Sequence, residues 1–129
     1  MLLVNAWVGV SGIHGLGVIT HEFIPKGTVV WKLVPGYDVL ISPDELENLP
    51  PAAQAHVRYY SFFHPDLKKH ILCVDDDRFT NHSDDANQLF CGDHSIAKRD
   101  IQVGEELTDD YREFGKPLHL DARPPMGGK

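Results

Sequence analysis

The segment Arg78-Phe79-Thr80-Asn81-His82-Ser83 (RFTNHS) sets a guanidinium, an aromatic ring, an amide and an imidazole in six consecutive positions. It has neither the 3.6-residue apolar period of a surface helix nor the strict alternation of a half-buried strand. A stretch so rich in chemistry and so poor in pattern reads as an irregular segment that lines something. Two further segments share that character. Upstream, His14-Gly15-Leu16-Gly17 lies in a glycine-rich run that lets backbone approach a ligand closely. Its spacing is neither that of a phosphate loop nor G-x-G-x-x-G, and a tight β-turn is the simpler reading of these glycines alone. Downstream comes Gly104-Glu105-Glu106-Leu107-Thr108-Asp109-Asp110-Tyr111. No serine stands in a G-x-S-x-G elbow.

The rest of the chain bounds what these segments can be. At 129 residues, 42% hydrophobic and 24% charged, it is long enough for one core and short for two domains. Nine prolines and eleven glycines, spread along the chain, favour short elements joined by many turns, hence a β or α+β fold. A net charge of −7 argues against general affinity for nucleic acid, because phosphate binding needs clustered lysine and arginine. A basic partner fits better. The acids gather at Asp75-Asp76-Asp77, Asp84-Asp85, Glu105-Glu106 and Asp109-Asp110, where ordinary solvated surface is an equal alternative. No run of eighteen apolar residues occurs, and no basic residue precedes the apolar opening MLLVNAWVGV, so neither a membrane span nor a signal peptide is expected. Cys73 and Cys91 lack C-x-x-C spacing, and no H-x-x-x-H pair occurs. We therefore expect no metal site, two buried thiols, and structural or surface roles for His14, His21, His56, His64, His70, His94 and His119, save what a loop context adds.

Strands are expected over residues 2–10 and 17–24, over Thr28-Val29-Val30-Trp31 after the turn Pro25-Lys26-Gly27, over His70–Val74, and near 88–91, 94–97 and 106–108. Ser42-Pro43-Asp44-Glu45 is a capping box that starts a short helix at 43, which Pro50-Pro51 ends, and a second helix runs from about 52 to 60. From Gly115 the pattern dissolves, and a mobile tail is expected.

Taken in chain order, GLG, then RFTNHS followed by Asn87, then GEELTDDY resemble the SET domain, the family of S-adenosylmethionine-dependent protein lysine methyltransferases. The resemblance covers roughly residues 5 to 114. It implies a mostly β fold of the β-clip (SET) type: several small sheets, short helices and a C-terminal pseudoknot in which the NHS segment threads a loop closed by the chain after GEELT. Residues 1–114 would be the SET domain and 115–129 a tail, mobile or closing the lysine channel. By position in the motifs, His14, Gly15, Leu16 and Gly17 would contact the methionine moiety of S-adenosyl-L-methionine, with Arg78, Asn81 and His82 forming the cofactor loop. Tyr111 would stand beside the transferred methyl, both binding cofactor and serving catalysis. Tyr59 is the preferred second catalytic tyrosine, with Tyr60 its alternative.

The implied activity is methyl transfer to a lysine amine of a basic protein, whether histone, histone-like or ribosomal, with no direct nucleic-acid or membrane contact. A cytoplasmic location is expected, or a nuclear, chromatin-associated one in a eukaryotic or viral setting. The other reading is a non-catalytic module that binds cofactor or lysine tails. The zinc-bound cysteine flanks of larger members have no counterpart here, so small free-standing bacterial and viral members are the nearest in kind. Phe114, the tail or a second subunit would then close the channel, which leaves a homodimer open. Asp109 stands where members often carry Phe or Tyr, a position that bears on how many methyls are added.

Overall fold

Turns marked by glycine and proline cut the chain into pieces too short to fold alone, and the pieces find stability by pairing across long sequence distances. The computed structural model describes residues 1–114 and 116. In chain order its strands are β1 (Ala6–Val10), β2 (Leu16–Thr20), β3 (Val29–Lys32), β4 (Val39–Ile41), β5 (Phe62–His64), β6 (Lys69–Leu72), β7 (Asn81–His82), β8 (Gln88–Phe90), β9 (His94–Ala97) and β10 (Glu106–Asp109). They form three small sheets, ordered β1-β2-β10-β7, β3-β9-β8 and β4-β6-β5. The mostly β fold of small sheets and short helices is therefore as expected. All pairings between these strands are antiparallel except β10 with β7, where Thr108 lies opposite Asn81 and Asp109 opposite His82.

The β1–β2 hairpin forms around Gly15, whose φ of 52° is left-handed and suits glycine. Both strands are shorter than their apolar runs: the ladder ends where Thr20 pairs with Ala6, and just beyond it the Thr20 hydroxyl donates to the Glu22 carbonyl at 2.7 Å. Ile24 and Ile101 then exchange both backbone hydrogen bonds, at 2.9 and 2.8 Å, which pins the loop after β2 to the approach to β10. Around that clasp Val18, Ile24, Val30, Ala97, Ile101 and Leu107 make one core, and Trp31, Leu33, Ile71 and Cys73 make a second. Truncating Ile101 or Leu107 to alanine would cost about 2–5 kcal/mol.

The capping box is present: Ser42 Oγ accepts from Glu45 N–H at 3.1 Å and Glu45 Oε1 accepts from Ser42 N–H at 2.9 Å, opening α1 (Pro43–Glu47). The two prolines do more than stop it. Pro51 is the first residue of α2 (Pro51–Tyr60), where its fixed φ and missing N–H carry no penalty. Cys73 is buried as expected, whereas Cys91 is exposed, because it lies just past the end of β8.

The acidic run 75–77 is structural rather than solvated. Asp75 accepts from Leu2 N–H at 2.8 Å and Asp76 from Val8 N–H at 3.1 Å, tying the N-terminal strand to the 3-10 turn Asp76–Phe79. The threaded closure expected after GEELT involves residues beyond 114, and these, like most of the predicted tail, lie outside the described residues. No described helix is long and apolar enough to cross a membrane.

Candidate active site

RFTNHS leaves its 3-10 turn at Phe79 and enters β7 at Asn81, and its residues are divided between two cavities. Arg78, Phe79 and Asn81 line a pocket of about 270 Å³ together with His14, Leu16, Tyr59 and Tyr60. Asp77 and Thr80 line a second cleft of about 420 Å³ with Trp31, Phe62, Phe90, Asp109, Tyr111, Phe114 and Lys116 among its walls. The segment is the thin partition between them.

The pocket side is held by Asn81. Its amide nitrogen lies 3.0 Å from the His14 carbonyl, 2.9 Å from the Leu16 carbonyl, 3.1 Å from Ser11 Oγ and 2.9 Å from Glu106 Oε2. Glu106 also accepts from Ser11 Oγ at 2.8 Å, so the glycine loop, β7 and β10 meet at one buried node. Gly17 sits against that node, and a Cβ there would run into the Glu106 carboxylate. Arg78 Nη1 donates to the Val74 carbonyl at 3.2 Å and its guanidinium lies 4.7 Å from the Phe79 ring centroid, while its buried Nε has no hydrogen-bond partner. An orphaned guanidinium N–H beside aromatic rings suits a ligand that brings an anionic group and a flat heterocycle. The zwitterionic, adenine-bearing S-adenosylmethionine fits this donor set.

The cleft side is aromatic and acidic. Phe114 packs against Phe62, Phe90 and Tyr111 with centroids 5.1, 5.0 and 5.9 Å away. The Tyr111 hydroxyl donates to the Thr80 carbonyl, on the partition itself. Burial first, and then the charge of Asp109, holds its phenol well above the ordinary range, so it acts as a neutral dipole and not as a base. Desolvation and the neighbouring Asp75 push Asp77 up to about 6, and desolvation followed by the charge of Asp77 pushes Asp109 well above the usual carboxylate range.

Of the residues singled out in the sequence, the structure brings His14, Leu16, Tyr59, Arg78 and Asn81 together in the pocket, with Gly15 and Gly17 shaping the loop beneath. Tyr59 and its alternative Tyr60 both line this pocket, and neither is among the residues lining the cleft. Tyr111 faces the other cavity. The His82 ring lines neither: Nδ1 accepts from Tyr111 N–H at 3.1 Å and Nε2 reaches Asp84 at 2.8 Å, which makes it a brace for Tyr111. Sequence reasoning missed Ser11, Glu106 as a node and Asp77 as a wall. Glu106 was visible inside GEEL, but nothing marked its carboxylate as inward.

The three small sheets thus set a pocket that carries Arg78 and aromatic rings back to back with an acidic, aromatic cleft, with one thin segment between them. The SET domain model matches residues 15–112, and the chain belongs to the SET domain family. No curated protein matches it. Among solved structures, it is similar to a humanized mutant of the Chaetomium thermophilum Polycomb Repressive Complex 2 bound to an inhibitor, with TM-score 0.63 and 24% identity over 86% of this chain. That match takes in only 15% of the larger chain. It is also similar to a Plasmodium falciparum protein described as a "putative histone methyltransferase", with TM-score 0.57 and 21% identity, covering 85% of this chain and 95% of that one.

Proposed function

We propose that the chain is an S-adenosylmethionine-dependent protein-lysine N-methyltransferase acting on a basic protein segment, histone-like in character. The observation that carries the reading is the partition: consecutive residues of RFTNHS line two cavities, and Tyr111 is hydrogen-bonded to it at Thr80. The cofactor, when bound, supplies an activated methyl on a sulfonium, so the protein needs no nucleophile of its own. What its residues do is hold and orient. Arg78 and the loop of His14 to Gly17 would receive the amino-acid end on the pocket side. Phe62, Phe114 and Tyr111 would flank an alkyl stem on the cleft side and exclude shorter polar side chains. The Tyr111 hydroxyl, which donates to the Thr80 carbonyl, would turn its dipole toward a partly positive carbon or nitrogen. A free lysine, with a pKa near 10.4, is neutral only to about 0.4% at pH 8, so the rate at limiting peptide should climb with pH.

The test has two parts. S-adenosylhomocysteine at millimolar concentration should raise the melting temperature, since a ligand bound only by the native state stabilises it. A mass-shift assay with cofactor over a panel of basic proteins should then show added methyl groups. Absence of any thermal shift would remove the cofactor from the reading, and binding without turnover across the panel would leave a non-catalytic lysine-tail module.

A further inference from the structure

The cleft already contains an amine. The backbone N–H of Lys116 donates to the Tyr111 carbonyl at 2.9 Å, closing the turn after the 3-10 segment Tyr111–Phe114 and sending its side chain into the cavity. Its Nζ donates to the Tyr60 carbonyl at 3.2 Å and lies 5.1 Å from the centroid of the Tyr111 ring. Tyr60 lines the pocket and Tyr111 lines the cleft, so the amine stands where the two cavities approach each other. The surroundings are those an alkylammonium needs: a carbonyl acceptor, an aromatic ring within cation–π range, and the carboxylates of Asp77 and Asp109 on the same cavity wall. Burial pushes the Lys116 amine below its ordinary pKa, against the opposing pull of Cys73, Asp109 and Asp77, as expected of an amine drawn out of water.

We propose that Lys116 is an internal competitor for the cleft: the chain's own lysine occupies the place of the substrate amine, and an incoming lysine side chain must displace it. This rests on the reading of the cleft as a lysine channel. Displacement is feasible because, among the described residues, the side chain is held by one hydrogen bond to the Tyr60 carbonyl, the face of the Tyr111 ring and the pull of Asp77 and Asp109, all of which an incoming alkylammonium could take over. The arrangement makes affinity for a lysine-bearing segment depend on how often Lys116 is out. If it fills the cleft in about nine molecules of ten, the apparent affinity for an external amine falls about tenfold. A substrate segment that also binds outside the cleft gains further energy to evict it; an isolated lysine competes at about a tenfold disadvantage.

The experiment uses the full chain. Brief acylation with an amine-reactive ester, read by peptide mass, should modify Lys116 about tenfold more slowly than the exposed Lys26 and Lys98. Calorimetric titration with Nα-acetyl-lysinamide should give about tenfold tighter binding to Lys116→Ala than to wild type, with Lys116→Gln tighter than wild type as well. Each variant is checked by its thermal shift with S-adenosylhomocysteine. Equal acylation of the three lysines in wild type overturns the proposal, and needs no variant to fold. So does equal lysinamide affinity in variants that still respond to S-adenosylhomocysteine, an outcome that leaves the methyltransferase reading standing. If lysinamide binds neither wild type nor variant, the cleft is no lysine channel, and proposal and reading fall together.

Discussion

The two sides of the partition are built on opposite principles. On the pocket side the polar groups are spent on the fold: the two N–H groups of the Asn81 amide are shared among the His14 and Leu16 carbonyls, Ser11 and Glu106, while the buried Arg78 Nε has no partner among the described residues. On the cleft side Asp77, Asp109 and Lys116 stand half-buried in an aromatic-lined cavity, and their proton affinities are displaced from the ordinary values. A satisfied network rigidifies, whereas displaced charges hold free energy that a ligand can release. The pocket should therefore yield stability when disturbed, and the cleft should yield function.

The largest expected effect tests the first half. Asn81→Ala removes two N–H donors from a part-buried node and should cost about 3 kcal/mol of stability in urea unfolding; a loss under 1 kcal/mol would mean that the node is ornamental. Tyr111→Phe tests the second half. Turnover should drop by about 10²-fold or more while cofactor affinity changes little and stability falls by about 1 kcal/mol. Near-normal turnover would reduce the hydroxyl to a core group satisfied by Thr80.

Asp77→Asn should reverse the usual sign of a core substitution. The folded pKa of about 6 lies above the unfolded carboxylate value near 3.9. Stability conferred by the protonated acid is therefore complete below about pH 4 and is lost as pH rises through 6. The asparagine variant does not ionise, so its melting temperature should gain on wild type across that window and stay ahead at pH 7, by the equivalent of about 2 kcal/mol. Parallel pH profiles would place that carboxylate in water. The smallest effect is a control: Ser42→Ala, at the cap of a helix that lines neither cavity, should cost about 1 kcal/mol and leave cofactor binding alone.

Local chemistry is what the sequence showed well. The capping box at Ser42, strand β9 and the motif residues of the pocket were legible because each is specified within a few positions. Strands β4, β5 and β7 were not. Val39–Ile41 and Phe62–His64 are three residues long, and both pair with β6. Asn81-His82 is a strand only because Thr108 and Asp109 lie beside it. The inward turn of Glu106 and the burial of Asp77 had no local signature either, since an acidic pair or triplet reads the same on a surface as in a core. Cys91 was misread for the converse reason: cysteine is usually buried, and only its place past the end of β8 exposes it.

The parallel pairing of β10 with β7 has a consequence for how the molecule comes to exist. Residues 106–109 must reach back to both Leu16–Thr20 and Asn81–His82 before the cleft gains Asp109 or the Asn81 node beside the pocket gains Glu106. Loop closure over such distances is slow relative to helix or hairpin formation. During synthesis, the hairpin of β1 and β2 can form early, but neither cavity can assemble until the segment Glu106–Asp109 has left the ribosome. Ligand binding is thus a report on the final step of folding, and S-adenosylhomocysteine added to a refolding mixture should protect the amides of β10 last, after those of β1 and β2 have already ceased to exchange.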